Sequence, residues 1–182
     1  TSITDTGSET STTGKLSWAI TQSNASTSVD DDIAFNLTSG STVTISGALP
    51  TITDTVTIDG NDGGTNVTVQ VTNQATSDYR VFLINASEET VTIQNMTIKG
   101  GNISSDNNGG GIYCENTNLN LESVEVSGST ADYGGGIYCY ANEAITMSVN
   151  INNCTFSGNS ALSYAGAYFY SSHDSNSPTL NT

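Results

Sequence analysis

Apolar residues along this chain alternate with polar ones in short bursts, and the bursts recur. Thr42-Val-Thr-Ile45, Thr55-Val-Thr-Ile58 and Val67-Thr-Val-Gln-Val71 each place an apolar side chain at every second position. A period of two marks a strand with one buried face. Asp32-Ile-Ala-Phe-Asn-Leu37 alternates in the same way, whereas Arg80-Val-Phe-Leu-Ile84 is more continuously apolar. Between the runs stand Ser39-Gly40, Leu49-Pro50, Gly60-Asn-Asp-Gly-Gly64, Gly100-Gly101 and Asn107-Asn-Gly109, all turn-forming clusters. One stretch has a different period. Leu16, Ala19, Ile20 and Ser23 lie at helical spacing, with Thr12 or Thr13 placed to cap the helix.

The alternating segments also repeat as units. Gly109-Gly-Gly-Ile-Tyr-Cys114 returns as Gly134-Gly-Gly-Ile-Tyr-Cys139, and weakly as Ala165-Gly-Ala-Tyr-Phe-Tyr170. Val91–Gly100, Leu119–Gly128 and Val149–Gly158 align with one another. The spacing is about 28 to 30 residues, within the range of solenoid repeats. A unit of short strands and glycine turns cannot bury its apolar face alone, so it must stack on its neighbours. The pattern predicts an all-β chain, a right-handed parallel β-helix. Residues 1–28 form a cap segment with a short amphipathic helix, and 29–182 form the rungs. From Tyr79 onward each rung reads as three short strands, and an insertion lies near Asp62 to Asp78.

Aligned rungs predict columns of like residues. Ile93, Leu121 and Ile151 should stack inside, as should Ile98, Val126 and Phe156, with Met96, Val124 and Cys154 in a third inward column. Leu83, Tyr113, Tyr138 and Phe169 should share another column, flanked by Phe82, Ile112, Ile137 and Tyr168. Alternation sends one of these two columns inward and the other out. An outward tyrosine column would be a sugar-stacking stripe or an interaction surface, while ordinary packing is the plainer account.

The Gly-Gly-x-Ile units together with Phe156-Ser-Gly-Asn159 are similar to the GGA[ILV] and FxxN repeats of chlamydial polymorphic outer-membrane proteins. More broadly, the chain resembles the parallel β-helix passengers of bacterial adhesins and extracellular repeat proteins. The opening, from Gly14-Lys-Leu-Ser-Trp-Ala-Ile through Leu49-Pro-Thr-Ile52 to Gly60, looks like the capping region of that group. This resemblance implies an extracellular or cell-surface setting. Its motifs specify fold better than activity.

Composition narrows the partners. The formal net charge is −15, and Lys15, Arg80 and Lys99 are the only bases. So few cations cannot neutralise phosphates, which argues against nucleic acid and against anionic membrane. No apolar run is long enough to span a bilayer, so no membrane insertion is expected. The chain starts without Met and without a signal peptide, which reads as a mature or trimmed polypeptide.

Candidate chemistry is sparse. No catalytic residues and no required cofactor are expected. The β-helix scaffold does host polysaccharide lyases and hydrolases. Asp30, Asp31, Asp32, Asp59 and Asp62 are weak candidates to hold calcium, although the first three read as a solvated turn after the cap helix and the last two as a turn in which aspartate favours the backbone geometry. Glu115, Glu122, Glu125, Asp132 and Glu143 are scattered, and His173 sits in a polar loop. The Thr-Val-Thr triplets raise the thought of an ice-binding face, but later rungs replace them with Asn118-x-Asn120 and Ser148-x-Asn150. Cys114 and Cys139 occupy equivalent positions on adjacent rungs and are a disulfide candidate, set against two stacked thiols. Sequons stand at Asn24, Asn36, Asn66, Asn85, Asn95, Asn102 and Asn153, a number that the Ser, Thr and Asn content alone would produce.

These readings lead to a non-enzymatic extracellular structural module of a surface fibre, filament or adhesin. Pro178-Thr-Leu-Asn-Thr182 reads as the start of another rung, leaving the C-terminal end open. The expected partners are a further copy stacked end to end, a continuation of the chain, or glycans. The alternative is a carbohydrate-binding or polysaccharide-processing β-helix.

Overall fold

The computed structural model of the chain describes residues 2–5, 15–26, 30–37, 40–62, 65–72, 74, 78–104, 107–142, 145–171 and 179–181. They form a parallel β-solenoid of about 4 turns with one short helix near the N-terminus. Strand β1 (Ser2–Asp5) precedes the helix α1 (Leu16–Asn24). Then come β2 (Asp31–Ala34), β3 (Thr42–Ile45), β4 (Val56–Asp59), β5 (Asn61–Asp62), β6 (Thr65–Val71) and β7 (Phe82–Ile84). The repetitive half continues with β8 (Thr90–Lys99), β9 (Ile112–Glu115), β10 (Asn118–Ser127), β11 (Thr130–Tyr133) and β12 (Ile137–Ala141). It closes with β13 (Ser148–Asn152), β14 (Thr155–Ser157), β15 (Ser160–Ser163), β16 (Ala167–Ser171) and β17 (Thr179–Asn181).

Three walls arise because every coil lays its strands, parallel and in register, on those of the coil before. The first wall runs β2, β4, the first half of β8, the first half of β10, β13 and β17. The second runs β1, β3, β6, the second half of β8, the second half of β10, and β14. The third is β7, β9, β12 and β16, with β11 and β15 paired beside it. Strand β1 lies inside the segment expected to be only a cap, and it pairs with β3 as an ordinary member of the second wall.

Each long strand bends between the first two walls at one residue. Asn95, Ser123 and Asn153 hold φ of 54°, 54° and 52°, the left-handed region that Asn tolerates best among non-glycine residues. That extra residue resets the alternation. Val91 and Ile93 point inward before the bend in β8, Met96 and Ile98 after it. The expected columns follow. Ile93 pairs with Leu121 and Leu121 with Ile151, while Ile98, Val126 and Phe156 align behind the second wall.

The glycine triplets have a steric cause. Gly109 and Gly134 turn the chain with φ of +68° and +58°. Gly110 and Gly135 lie so close to the next coil that a Cβ would meet the carbonyl oxygens of Thr130 at 2.4 Å and Ser160 at 2.3 Å. Asn159 of the Phe-Ser-Gly-Asn segment works as a staple. Its carboxamide accepts from the Ser129 N–H at 3.0 Å and donates to the Val126 carbonyl at 2.9 Å.

The third copy of the glycine motif sits one residue away from the expected register. Ile137 pairs with Ala167, Tyr138 with Tyr168 and Cys139 with Phe169. The outward column is therefore Leu83, Tyr113, Tyr138 and Tyr168, and Phe169 points inward beneath Cys139. Matching on Gly166 alone misplaced this copy, because a one-residue slip exchanges the two faces. Inward apolarity sets the true register, and Tyr164 takes the left-handed corner that Gly109 and Gly134 hold in the earlier coils.

Helix α1 buries Leu16, Ser17, Ile20 and Ser23. Lys15 stands at its N-cap but its side chain does not cap the helix, and Thr12 and Thr13 lie outside the described residues. Asn24 at the last turn latches the helix to the first coil. Its amide donates to the Thr51 carbonyl at 2.7 Å, and its oxygen accepts from the Thr53 N–H at 2.9 Å.

Candidate functional site

Alternation along β9, β12 and β16 projects Tyr113, Tyr138 and Tyr168 outward, and parallel registration stacks them. Ile112 and Ile137 on the other face are fully buried. The Tyr113 and Tyr138 rings lie 5.4 Å apart at 11°, and Tyr138 and Tyr168 lie 5.5 Å apart at 49°. A second outward column, two residues further on, holds Glu115, Tyr140 and Tyr170, with the last two rings at 5.7 Å. Tyr164 stacks on Tyr168 at 4.3 Å and 13°, and Tyr133 of β11 reaches Tyr168 at 6.0 Å. Seven of the eight tyrosines thus share one face. Tyr164, Tyr133 and Tyr170 are 60%, 45% and 43% exposed, so the aromatic surface opens toward the later coils.

A cleft of about 370 Å³ lies in this face, lined by Asn108, Asp132, Tyr133, Tyr138, Tyr168 and Tyr170. Arg80 lies at the Tyr113 end of the column. Its guanidinium sits 5.0 Å over the Tyr113 ring and donates to the carbonyls of Asn108 and Gly109. Burial pushes the Tyr113 phenol up to about 12, helped by the nearby Glu115 and Tyr138 and opposed by Arg80. Burial also pushes Tyr138 up to about 12, with Tyr168 adding to it. Both are neutral hydroxyls across the physiological range and can donate hydrogen bonds.

The calcium candidates are not drawn into one group. Asp31 and Asp32 belong to β2 rather than to a turn, so their side chains leave opposite faces of the strand, and Asp30 is exposed just before it. The Asp59 carboxylate is bound within the coil, accepting from Gln94, Asn95 and the Asn61 N–H at 2.9, 3.0 and 2.8 Å. Burial raises its pKa, but these hydrogen bonds together hold it below the ordinary carboxylate value. The Asp62 side chain, Glu143 and His173 lie outside what is described. Among the described residues no group of three or more His, Cys, Asp and Glu is arranged to hold a metal ion.

The disulfide candidate is not formed. Cys114 and Cys139 face each other across adjacent coils as buried free thiols. Burial pushes the Cys139 thiol well up, and its neighbour Cys114 adds to this. The seven sequon asparagines divide by environment. Asn36, Asn66, Asn85 and Asn153 are exposed. Asn24 is the helix latch, Asn95 donates to Asp59, and Asn102 donates to the Gln74 carbonyl, so the amide that glycosylation would modify is in use at these three part-buried positions, and the exposed Asn153 also donates, to the Ser123 hydroxyl at 3.1 Å.

The threonine triplets give no uniform ladder. Thr92 accepts from Asn120 at 3.2 Å, and Asn120 accepts from Asn150 at 2.7 Å, so this outward face is a chain of hydrogen-bonded amides. The tyrosine cleft is the feature that the sequence reading resolved least, since Asp132 and Tyr133 lie about thirty residues from Tyr164 and Tyr168. The recurrence of Tyr113 at Tyr138 is the signal that sequence offers for it, while Tyr168 falls in the flanking column when the third copy is aligned on Gly166. Comparison with protein-family models, with curated proteins and with solved structures finds no match to this chain.

Proposed function

We propose that this chain is a non-enzymatic structural module of an extracellular or cell-surface fibre or adhesin, acting through coil stacking and self-association. The observation that supports it is the continuity of the stack. The backbone of each coil is templated by the previous one, and the core runs unbroken through the coils as a rod. In the last coil Ile151, Phe156 and Phe169 are half-buried where Leu121, Val126 and Cys139 one coil earlier are fully buried. A further coil laid on them, from this polypeptide or from a second copy, would cover that apolar surface. The acidic surface, poor in Lys and Arg, fits a role away from nucleic acid and anionic membrane. Negative-stain microscopy with light scattering on the purified chain tests the self-association. Filaments that lengthen with concentration are the expected result. Discrete monomers at all concentrations would overturn it.

A second reading, carbohydrate binding, is favoured by one specific observation, the outward direction of the tyrosine column.

A further inference from the structure

The geometry points to the tyrosine cleft between β11, β12 and β16 as a binding site for a neutral oligosaccharide. Tyr133, Tyr168 and Tyr170 would form the aromatic wall, with Tyr164 packed behind Tyr168, and Asp132 and Asn108 the hydrogen-bonding edge. This deepens the carbohydrate-binding reading and is independent of whether the rod self-associates.

Tyr164 carries the argument furthest. Two coils place glycine at this left-handed corner, and the third places tyrosine there with φ of 58°. A bulky residue is strained at such a corner, and strain held in place by its surroundings clusters at functional sites. What the strained corner gains is an exposed ring laid 4.3 Å from Tyr168 at 13°. Tyr168 lies in turn 6.2 Å from Tyr170 at 12°. Tyr164 thus backs one face of Tyr168 and holds that ring in place, while Tyr133, Tyr138, Tyr168 and Tyr170 present the aromatic surface of the cleft, which suits the C–H-lined face of a pyranose.

The rest of the cleft selects among ligands. Its volume of about 370 Å³ lies in the range of small-molecule sites, and it combines aromatic walls with a few polar groups. A carboxylate such as Asp132 accepts from two vicinal sugar hydroxyls, and the Asn108 carboxamide can both donate and accept. Anionic glycans are disfavoured, because the nearest cation, Arg80, is engaged with Tyr113 and two backbone carbonyls. A quaternary ammonium needs facing rings separated by its own diameter. Here the neighbouring rings are in mutual contact, with centroids 4.3 to 6.2 Å apart.

The test is a titration of the full chain followed by calorimetry and by NMR of the tyrosine ring protons. The probes are neutral β-1,4-glucan, β-1,3-glucan and α-mannan hexasaccharides. A galacturonate hexasaccharide, choline and a deca-proline peptide serve as comparators. At least one neutral hexasaccharide is expected to bind, with shifts centred on Tyr133, Tyr164, Tyr168 and Tyr170. Tyr164→Gly installs the residue that the other coils carry, so the fold is retained, and affinity should fall about two- to twelvefold, as losing one aromatic contact does. Tyr170→Ser, checked for an intact melting transition, should weaken binding similarly. Three results would each overturn the proposal: no neutral hexasaccharide moving those rings at millimolar concentration, tighter binding of choline or polyproline, or unchanged affinity in both variants. None of these bears on filament formation, which the inward residues carry.

Discussion

The first and third walls are built by the same repeat, yet they present opposite surfaces. On the first wall the outward side chains Thr92, Asn120 and Asn150 hydrogen-bond to one another up the stack. Asn118 extends the pattern, accepting from the Ser148 N–H at 2.9 Å and donating to the Glu88 carbonyl at 3.2 Å. On the third wall the corresponding positions carry tyrosines that stack ring on ring and open into a cleft. The inward sides of the two walls are alike, with Leu121 and Ile137 equally buried. A solenoid thus separates two tasks. Inward positions and glycine corners specify the coil, while outward positions are free to be used up in the scaffold's own hydrogen bonds or to face a partner.

The comparison can be broken most severely from inside. Leu121→Ala and Ile137→Ala, one behind each wall, should each destabilise the chain by about 2 to 5 kcal/mol in urea unfolding. A large cost at one wall and almost none at the other would refute a shared core. Gly135→Ala forces a Cβ against the Ser160 carbonyl and should cost about 1 to 3 kcal/mol, as overpacking does. Gly128→Ala, where nothing lies within 4 Å, meets only the strain of its positive φ and should cost less. Asn120→Ala removes a link of the amide ladder and should cost about 1 kcal/mol by thermal melting. Loss of nothing at all would show that the first wall is as free as the third.

The gentlest test changes only the pH. Tyr113 and Tyr138 are pushed from 10.0 up to about 12 in the folded chain. The folded state therefore keeps two protons that the unfolded chain releases above its own ordinary value. Stability is fully present below about pH 10 and is lost as the pH rises towards 12. Chemical denaturation across that window should show the decline, and a Tyr113→Phe, Tyr138→Phe double variant should show less of it.

The sequence revealed the coil more readily than the cleft, for a physical reason. Inward columns such as Ile98, Val126 and Phe156 leave a local trace, because burial restricts every alternate residue to apolar types. The corners at Asn95, Ser123 and Asn153 left none, since three different contexts share a φ that only backbone geometry records. The register of the third glycine copy was misread because Tyr164 occupies a position where glycine was the expected marker. Sequence also could not sort the sequons, since Asn24, Asn95 and Asn102 are set apart from Asn36, Asn66, Asn85 and Asn153 by burial in the coil, which no local motif records.

The parallel ladders have a mechanical consequence. Hydrogen bonds between coils point along the rod axis, so tension applied along that axis loads one ladder at a time instead of shearing many together. Stretched by its ends, the solenoid should peel coil by coil. Each coil of 28 or 30 residues would release a contour length of roughly 100 Å while giving up one strand spacing of about 4.8 Å. A rod stretched in this way should lengthen stepwise, one coil at a time.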